Sequence, residues 1–299
     1  MYVVILRSPV PGRQESTVTE LDTTRDTDVC GTGTHVFDDA VALVAADAHR
    51  YTGRTHPAYA NMVGPFGGIT AATLLRAVQQ HPEVLGVPLS LTVNYCGALA
   101  DGEFEIVARP VRTNRSTQHW SIELSQDGAV TTTATAVFGT RRETWSSTEA
   151  VAPDAPPAED VSEQSLPEFI AWARNYEMRF VEGAVPGPET GEHPDSTTTL
   201  WVRDTPPRPL DFAALTALSD VFYPRVFLRR GQYMPAGTVS LTVYFHADEH
   251  ALDRQSDASV LATARSQHFG KGYFDQSGEL WSSDGELLAT THQLVYFKG

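Results

Sequence analysis

Apolar and polar positions alternate with a period of two along four consecutive stretches: PLSLTVNYCGAL (88–99), EFEIVARPVR (103–112), TQHWSIELS (117–125) and AVTTTATAVFG (129–139). Strict alternation with β-branched content predicts half-buried strands. Asp101-Gly102 and Asp127-Gly128 sit where the chain would turn between them. Ahead of them, HPAYANMVGPFGG (56–68) reads as a loop entering a helix, ITAATLLRAVQQ, with Leu74, Leu75 and Val78 on its apolar side. A second helix is predicted over DFAALTALSDVFYP (211–224). There Phe212, Leu215, Leu218, Val221 and Phe222 spread around most of the circumference, which is the pattern of a buried helix. Pro224 stops it by removing a donor and crowding the turn before. Strands follow again, after TLWVRD (199–204) ahead of the helix.

The pattern repeats. SLTVNY (90–95) recurs as SLTVYF (240–245), and SQDG (125–128) as SSDG (282–285). In both halves the order is helix, SLTV strand, two strands, Asp-Gly turn, final strand, which reads as a tandem duplication. A helix wrapped by an antiparallel sheet, built twice, buries two apolar helices economically. Between the halves, 146–165 is rich in Pro, Ala, Ser and acid and reads as a linker. Residues 1–33 lack an apolar period and read as a flexible leader, leaving units over 34–145 and 166–299.

Composition narrows the picture. A formal charge of -15 over 299 residues disfavours broad contact with nucleic acid or anionic membranes. Cys30 and Cys96 suggest no disulfide framework, and a reducing cytoplasm is the easier reading. No apolar run approaches the ~20 residues of a membrane span. The opening MYVVILRSPVPGR has no basic region before its short apolar patch, so it does not read as a signal peptide.

Candidate chemistry centres on Asp220. A carboxylate in a buried helix must be paired or used, so Asp220 either hydrogen-bonds a neighbour structurally or serves a site. Overlaying the halves sets Thr238 against Pro88 and Gln293 against Ala136, and the helix over 69–80 has no acid to match Asp220. Three polar positions therefore belong to one half only, as a grafted site would. His246 and His250 in HADEH lack companion ligands for a metal, and that segment reads as a solvated loop. Arg225, Arg229 and Arg230 follow the helix and either meet phosphates or form a solvated basic face. No serine sits in a nucleophile elbow, and Trp120 and Trp281 read as core.

Three segments, SDVFYP around Asp220, GTVSLTVYFH (237–246) and GYFDQSGELWSSDGELLATTHQLVYF (272–297), resemble the acyl-CoA thioesterase II family. GPFGGITAATLL and the strands after it are similar to that family's N-terminal half. The resemblance implies an α+β double hotdog fold. It implies hydrolysis of medium- or long-chain fatty acyl-CoA to free acid and CoA, without metal or other cofactor. By motif position it also implies that Asp220, Thr238 and Gln293 hold the hydrolytic water. SLTVYF after Thr238 and LVYF after Gln293 depart from better-known members, which bears on acyl-chain preference. Desolvation would make Asp220 more basic, and Thr238 and Gln293 can orient water without carrying charge. Gly67 and Gly68 open the first helix, where unpaired N–H groups suit an oxyanion, although tight helix packing would also call for glycine there. The expected partner is acyl-CoA, with a homodimer or tetramer as the assembly. A hotdog hydratase or dehydratase, and a non-catalytic acyl-CoA or acyl-carrier binding protein, are the alternatives.

Overall fold

The computed structural model describes residues 34–164, 170–187 and 190–299. The leader over 1–33, with Cys30, lies outside the described residues, as does Ser165 at the end of the linker. In chain order, the first unit contains α1 (Val36–Ala40), β1 (Val44–Ala45), β2 (Arg50–Arg54), α2 (Gly67–Gln79), β3 (Val87–Tyr95), β4 (Glu103–Thr113), β5 (Thr117–Gln126) and β6 (Ala129–Gly139). The second contains β7 (Tyr176–Glu182), β8 (Thr198–Asp204), α3 (Phe212–Leu218), α4 (Arg225–Arg230), β9 (Ala236–Phe245), α5 (Glu249–Gln255), β10 (Val260–Arg265), β11 (Phe269–Gly270), β12 (Tyr273–Trp281) and β13 (Leu287–Phe297).

All strands pair antiparallel in one sheet, ordered β1-β2-β4-β5-β6-β3-β9-β13-β12-β10-β8-β7, with β11 on β12. The order reads alike from either end, as two copies of one unit joined edge to edge require. The joining strands are the two SLTV strands. Thr92 pairs with Thr242 at the crossing, their hydroxyls 3.1 Å apart, and Leu91 and Val93 face Val243 and Leu241. The repeat noticed in the sequence is thus the seam of the molecule, an α+β double hotdog. Each joining strand also carries an extra residue at the same place, Leu89 in β3 and Val239 in β9.

The concave face is filled by α2 and α3. Alternation puts Trp120, Ile122 and Leu124 of β5 inward, all buried. All seven residues of α3 are buried, and nearly all of α2. Their polar side chains satisfy themselves on the helix's own carbonyls: Thr73 Oγ1 donates to Ile69 O at 2.8 Å and Thr216 Oγ1 to Phe212 O at 2.7 Å. The helices approach closely at Gly68, where a Cβ would lie 2.6 Å from the carbonyl oxygen of Ala217. Arg208 fastens the units by bonding Asp38 of α1 and Asp211 at 2.9 and 3.0 Å, its guanidinium over the Phe37 ring.

Three expectations change. The helix expected over 211–224 ends at Leu218, and a separate short helix, α4, begins after Pro224. Ser219 stops the first one: its Oγ donates to Leu215 O at 2.8 Å, and Asp220 N and Val221 N turn back onto Ala217 O and Leu218 O in a tighter turn. HADEH is the entrance to α5, with Asp248 accepting from Ala251 N at the N-cap. The stretch over 146–164 lies against the second unit, Trp201 Nε1 donating to Pro156 O and Ala152, Ala155, Ala158 and Val161 packing on Trp201, Leu261 and Trp281. Trp120 and Trp281 are core, and Cys96 is exposed with a free thiol. Among the described residues no helix is long and apolar enough to cross a membrane.

Candidate active site

Asp220 reaches its position because α3 stops short. The turn after Ser219 carries the carboxylate off the helix and aims it at the first turn of α2 in the other unit. A Cβ on Gly67 would sit 2.7 Å from Asp220 Oδ2. The Gly68 N–H donates to the same carboxylate. Glycine at 67 leaves room for the acid, and glycine at 68 lets α2 lie against α3. Asp220 also profits from the positive end of α2, where first-turn N–H groups lack partners within the helix.

Gln293 arrives from β13. Its Nε2 donates to Asp220 Oδ1 at 2.9 Å. Thr238 arrives from β9, its hydroxyl donating to Gln293 Oε1 at 3.2 Å. The extra residue Val239 makes this contact. Ser240 pairs with Leu294 and Thr238 with Val295, so one residue is skipped and Thr238 turns to the inner face. The first unit has the same irregularity, with Pro88 opposite Phe138. Leu241 pairs with Gln293 as Leu91 pairs with Ala136. The register therefore sets the same residues against one another as the sequence overlay did.

The three polar side chains form a line rather than three equal arms around one water. Thr238 donates to Gln293, and Gln293 donates to Asp220. Thr238 thus fixes the amide orientation, and the amide nitrogen faces the carboxylate. Asp220 is 8% exposed and Gln293 4%. Burial pushes the Asp220 carboxyl up to about 7, against the pull of the Gln293 and Gly68 hydrogen bonds. Such a group is a proton acceptor near neutral pH and is half protonated there.

One neighbour escaped the sequence reading. Gln276 of β12 stands directly opposite Gln293, 1% exposed, and its Nε2 has no hydrogen-bond partner. Thr291, on the same face of β13 two residues before Gln293, is buried with its hydroxyl also unpartnered. The alternation Phe274, Gln276, Gly278, Leu280 already put Gln276 on the inward stripe. A lone amide in an apolar stripe was the available signal. Of the three arginines after the helix, Arg225 is not a surface cation. It is fully buried, donating to Tyr223 O, Ser196 O and Thr198 Oγ1, with its guanidinium over the Tyr223 ring. His246 contacts Thr290 Oγ1 at 3.1 Å, and among the described residues no group of three His, Cys, Asp or Glu could hold a metal ion.

Two antiparallel units, two central helices packed on one another and a buried acid at their contact define a double hotdog protein. Family comparison agrees with this architecture. Residues 56–139 match the acyl-CoA thioesterase N-terminal domain and residues 148–297 the acyl-CoA thioesterase C-terminal domain. The chain belongs to the acyl-CoA thioesterase family. A conserved hot dog protein of unknown function from Alicyclobacillus acidocaldarius is 53% identical, with a TM-score of 0.85 over 89% of this chain and 99% of that one. The acyl-CoA thioesterase II TesB2 of Mycobacterium marinum shares the fold at 19% identity and a TM-score of 0.69, over 88% of this chain and 98% of its own. A tesB protein of Mycobacterium avium subsp. paratuberculosis does so at 20% identity and 0.72, over 88% and 98%. No curated protein matches the chain.

Proposed function

We propose that the protein hydrolyses medium- or long-chain fatty acyl-CoA to free acid and CoA, with Asp220 as the general base for water. The observation that carries the proposal is the buried Asp220 carboxylate, oriented by the Gln293 amide and lying against the first turn of α2. A water on that carboxylate loses a proton to Asp220 as its oxygen attacks the thioester carbonyl. The proton then passes to the departing thiolate as the tetrahedral intermediate collapses, which returns Asp220 to its ionised form. Gln293 and Thr238 keep the carboxylate in one orientation through the step. The Thr238 hydroxyl, the Gly68 N–H and one of the two Gln293 Nε2 hydrogens are already engaged. The developing oxyanion is met by the positive end of α2 at Gly67 and by the uncommitted Gln276 Nε2.

Thiol release measured with acyl-CoA esters from acetyl to palmitoyl tests the proposal. Release with equal free acid supports it. Hydration of an unsaturated acyl group without thiol release would replace it with a hydratase, and binding without any turnover would replace it with a carrier.

Two further outcomes follow from the geometry. Because the base must be ionised, kcat/KM should rise with pH to a plateau, with its midpoint close to pH 7. A profile flat through neutrality would remove the base role from Asp220. Gln293→Ala should lower kcat by up to about 10²-fold, and Thr238→Ala by less, since Thr238 acts through Gln293. Losing the Gln293 donor should also move the pH midpoint upward, because that bond favours the ionised carboxyl. Wild-type rates and midpoint in both variants would leave the line of polar groups without a catalytic purpose.

A further inference from the structure

We propose that a cleft behind α4, about 13 Å along β13 from Gln293, binds the phosphorylated nucleotide end of the coenzyme A thioester. The inference rests on the acyl-CoA reading above. The cleft has a volume of about 340 Å³, walled by Met234, Phe269 and Phe297 and edged by Arg229, Arg230 and Glu192. Its charge is out of character for the chain. The protein carries a formal charge of -15 and has two lysines, Lys271 and Lys298. Both are exposed, and both are chain neighbours of lining residues: Lys271 follows Gly270 and Lys298 follows Phe297. The two segments are bound together, Phe297 N donating to Gly272 O at 2.8 Å. Two arginines therefore edge one opening in an acidic protein, against Glu192, and both lysines of the chain lie on the segments that wall it. A local positive field of this kind draws in a compact polyanion.

The cations are available. Arg230 pairs with Glu192 at 2.9 Å, but both side chains are more than half exposed, so a phosphate displaces that partner at little cost. Arg229 gives one nitrogen to His193 O and keeps its remaining N–H groups. The walls suit a base. Phe269 and Phe297 line the cleft, and each packs against the buried ring of Phe274, at centroid distances of 5.3 and 6.0 Å, so the two wall rings are held in place for a purine to lie against. The spacing fits as well. Four residues of β13 separate Gln293 from Phe297, and the strand rise makes this about 13 Å. A pantetheine arm covers that distance between a thioester at Asp220 and a nucleotide at Phe297.

The test uses Arg230→Glu with Lys271→Glu, both exposed changes away from the core. Titration calorimetry with adenosine 3′,5′-bisphosphate should show binding to the wild type and binding about tenfold or more weaker to the variant. The kcat/KM advantage of an acyl-CoA over the same acyl-pantetheine should shrink by a similar factor. Equal bisphosphate affinity in the two proteins, or none in the wild type, would overturn the proposal. If the wild type binds the bisphosphate yet hydrolyses neither thioester, the cleft stands and the thioesterase reading falls.

Discussion

Asp220→Asn is expected to lower kcat on acyl-CoA by about 10³-fold or more while the protein keeps its fold. The amide is nearly isosteric with the acid, so the packing of α3 against α2 survives. The amide cannot accept the water's proton, and its nitrogen cannot accept from Gln293. The same substitution should raise stability above neutral pH, and the sign follows from the raised carboxyl pKa. The folded protein holds a proton on Asp220 up to about pH 7, whereas an unfolded aspartate releases it near 3.8. Between those values the native state binds more protons than the unfolded one, so wild-type stability falls as pH rises through the window. The variant has no such group and escapes the loss. A variant with normal turnover, or one less stable than wild type in alkali, would contradict the view of Asp220 as a strained, working base. Circular dichroism and thermal unfolding at two pH values, beside thiol release, provide all three readings.

Gly68→Ala should destabilise the protein by about 2–3 kcal/mol, although it adds one methyl group to a helix and alanine is the better helix former. The new Cβ would lie 2.6 Å from the Ala217 carbonyl oxygen, a backbone atom that cannot rotate away, and a similar distance from the Phe66 ring. Relief requires α2 and α3 to separate at the place where Asp220 meets the Gly68 N–H, so activity should fall with stability. Gly191→Ala is the control: a Cβ there meets nothing within 4 Å, and the change should be within about 0.5 kcal/mol of neutral. A drop in Tm of about 3–5 °C for the first and none for the second is the expected pattern. Equal melting temperatures would mean that the helices do not need their close approach.

Much of this was legible in the chain because the strands obey period two so strictly. β4, β5 and β6 lie within a residue or so of the alternating stretches, and Asp127-Gly128 turns with both residues at positive φ. The offset of 150 between the SLTV strands sets Thr238 against Pro88, the offset of 157 between the Asp-Gly turns sets Gln293 against Ala136, and both carried over into the register. What the pattern could not show was local and three-dimensional. Apolar periodicity ran on past Leu218, and the decision of Ser219 to bond its own helix belongs to a hydroxyl, not to hydrophobicity. The bulge at Val239 inverted the face of Thr238, which simple alternation places outside. Asp248 capped a helix that its histidines disguised as a loop. Lys271 and Lys298 were visible as the two lysines of an acidic chain, but only the pairing of the segments around Phe297 and Gly272 brings those segments together.

In the proposed reaction water, not the carboxylate itself, is the attacking group. A single turnover of wild-type protein in excess over a palmitoyl thioester, run in water labelled with heavy oxygen, tests this directly. The fatty acid released in that first turnover should carry the label, and the peptide containing Asp220 should carry none. Unlabelled acid with heavy oxygen in Asp220 would mean covalent attack through an anhydride, and no acid at all would mean that the site is not a hydrolase.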